Sequence, residues 1–69
     1  MKIKILDVVA LLNDLPEKRL LKGQVGTVVE ELDENVFEVD FINTNGETLA
    51  LEEIHSDNLF LLHFEIEKV

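Results

Sequence analysis

Four groups of side chains in this chain have types that chemistry uses. The run Glu30-Glu31-Leu32-Asp33-Glu34 gathers four carboxylates, the oxygen density that a hard cation such as Ca²⁺ takes. Its spacing departs from the calcium-loop template, which sets ligands at alternate positions around a central glycine, so the run reads as a solvated turn. His55-Ser56-Asp57 supplies the residue types of a hydrolytic triad. Consecutive side chains diverge, however, and no nucleophile elbow surrounds Ser56, so Ser56 and Asp57 read as turn caps. His55 and His63 lie apart in a chain without cysteine, which leaves no four-ligand zinc pattern. Lys18, Arg19 and Lys22 form the one basic cluster. It lacks interleaved aromatics and is better suited to pairing with carboxylates, either the chain's own or a partner's. With no convergent nucleophile, base or cofactor motif, the expectation is a protein that is not an enzyme, with no metal and no cofactor.

The charge of −9 over 69 residues is unevenly placed. Residues 1–22 hold five basic groups against three acidic ones, a balance of +2, whereas residues 23–69 hold Lys68 against twelve carboxylates, a balance of −11. Such a surface repels phosphate backbones, and there is no Trp or Tyr to stack on bases, so nucleic acid is not an expected partner. It favours basic protein partners by speeding encounter, and it also keeps a small protein soluble. Without cysteine there is no disulfide framework. Met1-Lys2-Ile3-Lys4-Ile5 has neither a continuous apolar run nor a small-residue cleavage site, and no segment approaches the roughly 20 apolar residues of a membrane span. A cytoplasmic protein with no membrane partner is the expectation. At this length there is one domain, 1–69, burying about 60% of its unfolded surface.

The elements that must position these groups are strands. Lys22-Gly23-Gln24-Val25-Gly26-Thr27-Val28-Val29 reads as a glycine-marked turn leading into a β-branched strand, with Gly26 at a bulge or close approach. After the turn at Asp33-Glu34-Asn35, Val36 to Phe41 alternates strictly: Phe37, Val39 and Phe41 share one face, and Glu38 and Asp40 the other. Ile5 to Leu12, apolar apart from Asp7, predicts a strand covered on both sides. Asn13 to Gln24 predicts a long loop anchored by Leu15, Leu20 and Leu21, with Pro16 fixing φ. Asn43-Thr44-Asn45-Gly46 predicts a turn with positive φ at Asn45-Gly46. Thr48 to Glu53 predicts a strand with Leu49 and Leu51 inward and Thr48, Ala50 and Glu52 outward. His55 to Asn58 predicts a turn or a single 3₁₀ turn, and Leu59 to Leu62 a last strand. His63 to Val69 alternates again, with Phe64 and Ile66 as an edge strand or a partner-seeking one. The pattern predicts an all-β fold, a small barrel, closed or partly open, of five to six strands with a long first loop.

The segments Asp14-Leu15-Pro16-Glu17, Leu21-Lys22-Gly23-Gln24-Val25-Gly26-Thr27-Val28-Val29-Glu30 and Phe37-Glu38-Val39-Asp40-Phe41, with Gly46-Glu47-Thr48-Leu49-Ala50, resemble the domain-of-unknown-function family 4926 over about Ile5 to Leu62. The Lys-Gly-x-x-Gly-x-Val element is also similar to the glycine hinge of KOW and other SH3-like barrels. The resemblance implies an SH3-like, partly open barrel in a small bacterial protein, brings no catalytic residues, and favours a protein partner.

Two expectations about function follow. The first is a protein-binding module, antitoxin-like or immunity-like in one form, that offers Glu30, Glu38, Asp40 and Glu52 on one sheet face to a basic partner. The second is an oligomeric structural or accessory subunit, a homo-oligomer among them, that docks through the Val8-to-Leu12 strand or through Phe64 and Ile66. Binding of proline-rich peptides needs an aromatic groove, and the four phenylalanines fall mostly at core positions.

Overall fold

A computed structural model describes residues 2–63 of the chain. Five strands are formed: β1 (Val8–Leu11), β2 (Val25–Asp33), β3 (Val36–Ile42), β4 (Thr48–His55) and β5 (Leu59–Leu61). They make one antiparallel sheet in the order β4-β3-β2-β1-β5, with no α-helix among the described residues. β4 and β5 end that order and do not pair, so the sheet is not closed into a barrel. Phe64 and Ile66 lie outside the described residues.

The core follows from the strict alternation of β3. Phe37, Val39 and Phe41 are buried, and they meet Val9 and Leu11 of β1, Val28 of β2, Ile54 of β4 and Leu59 of β5. Gly26 sits directly opposite Phe41. A Cβ there would lie 2.7 Å from Val39 Cγ1 and 2.8 Å from the Asp40 carbonyl oxygen, so the close approach expected of this glycine is real. Two irregularities bend the long β2–β3 hairpin, one between Val28 and Glu30 and one between Glu31 and Asp33. Each sets two β2 residues against one on β3 and increases the local twist.

The long first connection is anchored by fewer leucines than the sequence suggests. Leu15 and Leu20 bridge each other through paired backbone hydrogen bonds of 2.9 and 3.1 Å around a 3₁₀ turn at Pro16–Lys18, and Leu20 is buried. Leu21 is exposed: Arg19, in the left-handed region, returns the chain so that Leu20 bridges Leu15 and takes the buried position, and the residue after it turns outward. Between β3 and β4 the Asn43 side chain accepts hydrogen bonds from the amides of Asn45 and Glu47, and of the Asn45-Gly46 pair only Gly46 takes positive φ.

The predicted facing of β4 is reversed. Ala50, Glu52 and Ile54 pair with Phe41, Val39 and Phe37 and share their inward face, while Leu49 and Leu51 are exposed. The physical reason is parity. Ile54 fills the core against Phe37, and a period of two then sends positions 52 and 50 inward as well. Leu49 falls at the register shift between the Phe41–Ala50 and Ile42–Thr48 pairs, which gives β4 one residue more than β3 across that step. β1 is likewise shorter than expected and alternates, with Val9 and Leu11 buried and Val8 and Ala10 half-buried.

Two substitutions test this account. Gly26→Ala forces a methyl group against backbone that cannot give way and should lower unfolding free energy by about 2 kcal/mol in urea denaturation. Leu6 is 75% exposed at φ +76, where a side chain is strained, so Leu6→Gly should raise stability by about 1 kcal/mol in the same assay.

Candidate protein-binding face

The outward residues of the sheet form rows that cross the strands. One row is acidic: Glu38 on β3 stands directly opposite Glu30 on β2 and Glu53 on β4. Neighbouring strands are about 4.8 Å apart, so three carboxylates lie abreast with nothing of opposite sign between them. Asp40, two residues along β3, stands between Thr27 and Leu51. Its Oδ1 is shielded from solvent and has no hydrogen-bond partner. Val29 is the extra residue at the first β2 irregularity and is exposed beside Glu30. Glu31 pairs with Phe37 and so faces away from Glu30, which splits the acidic run between the two faces.

Of the four carboxylates expected together, Glu30, Glu38 and Asp40 share this face and Glu52 does not. Glu52 pairs with Val39 on the inward side, where it meets Lys18 at 3.4 Å. Both are about one-third exposed, so this bond ties the 3₁₀ turn of the first connection to the rim of β4 and contributes modestly. Part of the basic cluster is therefore used internally. Glu53, which sequence reasoning passed over, takes the place expected of Glu52; the signal that finds it is Ile54, whose burial sets the parity of the strand. Glu30, Glu38, Asp40 and Glu53 form no ion pair with any described residue.

The His55-Ser56-Asp57 segment forms the 3₁₀ turn Ser56–Asn58 between β4 and β5. The cap is His55: its Nδ1 accepts the Asp57 amide at 3.1 Å, and a nitrogen in that role carries no proton. The 3.6 Å approach of Asp57 Oδ2 is therefore not an ion pair while that bond is made. Ser56 donates its amide to the Asn35 carbonyl at 2.8 Å, and no nucleophile, base and orienter converge. An open cleft of about 210 Å³ lies among Lys2, Ile3, Glu31, Glu34, Asn35, Phe37 and Ser56, below the usual size of a small-molecule site. Of the phenylalanines expected mostly at core positions, Phe37 and Phe41 are buried and Phe60 is 52% exposed.

Fold and face together define a small all-β protein with one open antiparallel sheet whose outward side carries carboxylates that no described residue neutralises. Within that class the chain belongs to the family described as domain of unknown function (DUF4926), which matches residues 5–61. No curated protein and no solved structure matches the chain.

Like charges directly opposite across strands destabilise a sheet by a few tenths to about 1 kcal/mol for each pair. Glu38 makes two such pairs. Glu38→Gln, which removes only the charge, should raise unfolding free energy by about 1 kcal/mol at low salt, with the gain shrinking as ionic strength rises.

Proposed function

We propose that the protein is a non-catalytic binding module, built as an SH3-like, partly open barrel, that engages a basic protein partner through Glu30, Glu38, Asp40 and Glu53. The observation that carries this reading is the row of three abreast carboxylates. It is costly to the folded state and is relieved when cationic side chains from another molecule approach it. The strand order, with a 3₁₀ turn just before the last strand, supports the SH3-like description. The absence of any converging acid, base and nucleophile among the described residues supports a role in recognition over chemistry. In its most concrete form the module is an antitoxin-like or immunity-like neutraliser, with carboxylates covering a basic substrate site on a cytoplasmic enzyme.

A second reading, an oligomeric or accessory subunit that docks through apolar surface, is favoured by the exposure of Leu49, Leu51 and Phe60. The two readings separate by salt dependence. Captured from its own cells, a partner bound through the acidic face should associate about tenfold more slowly on passing from low to physiological salt, and Glu38→Lys combined with Asp40→Lys should abolish capture. Association that ignores both salt and charge reversal, accompanied by a doubled mass in sedimentation, supports the second reading instead.

A further inference from the structure

The acidic row lies on the same face as an apolar one. Ala10 on β1 stands between Phe60 of β5 and Val25 of β2. The register that pairs Gly26 with Phe41 brings Val25 abreast of Ile42, and Leu49 lies beside Ile42 at the β4 irregularity. Phe60, Val25, Ile42 and Leu49 are all exposed, and Leu51, in the next row, adds to them. Side chains of large apolar residues, contiguous across a sheet and rimmed by polar groups, are the composition of an interaction surface. Ile42 and Glu38 are four residues apart on one strand, so at about 3.3 Å per residue the apolar row and the acidic row are separated by about 13 Å. Thr27 and Asp40 fill the interval, with Asp40 Oδ1 already out of water.

Charge selects the occupant. A second copy of this chain would bring another nine negative charges to a face whose four carboxylates have no ionic partner among the described residues. A basic segment meets the opposite field. Resting on the acidic-face reading above, we propose that both rows are read at once by one cationic, amphipathic segment of another protein. Its apolar side chains lie on Val25, Ile42, Leu49 and Leu51, and its Lys or Arg side chains, about 13 Å away, lie on Glu30, Glu38 and Glu53. The apolar row supplies contact area and fixes register; the carboxylates select sign and orientation.

The test uses two synthetic peptides of identical composition and the full chain. In one, leucines occupy one half and arginines the other; in the second, the same residues are interleaved. Amide chemical-shift titration of the protein should show the block peptide binding at least tenfold more tightly, with shifts at Ile42, Leu49, Glu38 and Glu53. Ile42→Ser with Leu49→Ser, both at exposed positions, should weaken the block peptide tenfold, as should Glu38→Lys with Glu53→Lys, with circular dichroism showing each variant folded. Equal affinity for the two peptides, or affinity indifferent to the serine pair, overturns the two-row inference; if charge reversal still abolishes binding, the acidic-face reading stands. Binding indifferent to charge reversal overturns both.

Discussion

The packing of β3 against both its neighbours is the constraint on which the other features depend. β3 has partners along most of its length, β2 on one side and β4 on the other. Its three inward residues, Phe37, Val39 and Phe41, occupy the middle of the core. Because side chains alternate, burying these three commits Glu38 and Asp40 to the outside in one step. Gly26 is what lets β2 and β3 close at the crowded end, since any Cβ would strike the Asp40 carbonyl and the Val39 side chain together. The ends of the chain are drawn in by the same core: Val9 and Leu11 enter it from β1, and β5 pairs with β1 to bring Leu59 beneath them.

Electrostatics oppose that packing in one place and assist it in another. On the outward face, three glutamates are forced abreast by the register that the core demands. On the inward rim, the same register turns Glu52 toward the first connection, where Lys18 meets it. Two adjacent glutamates on β4 thus do different work: Glu52 holds a loop, and Glu53 extends a field. Alternation between the two β2 irregularities makes a comparable division between Glu30 and Glu31. Part of the lopsided charge of the sequence thus stands on one sheet face, as Glu30, Glu38, Asp40 and Glu53, with apolar side chains beside it.

Much of this was legible without coordinates. The β3 alternation, the turn at Asn43 to Gly46, the close approach at Gly26, the 3₁₀ turn before the last strand and the family resemblance over nearly the whole described chain all came from local spacing or motif. The misreadings share a cause. On β4, Leu49 and Leu51 look like a core pair, and only the competing claim of Ile54, at the other parity, moves them outside. Leu21 looks like an anchor until Leu20, bridged to Leu15, takes the buried position beside it. In both instances apolar residues compete for one buried position; on β4 the pairing with β3 chooses the winner, and in the first connection the Leu15–Leu20 bridge does.

The order of residues alone determined that this is a small all-β protein with a carboxylate-bearing face, because period-two alternation and turn chemistry act within a few neighbouring residues. Tertiary structure decided which carboxylates stand together, since a row across a sheet is set by the register between strands. That register depends on a single extra residue at each irregularity. Glu53 therefore joined Glu30 and Glu38 while Glu52 went inward to Lys18, because the core took Ile54 in preference to Leu49 and Leu51.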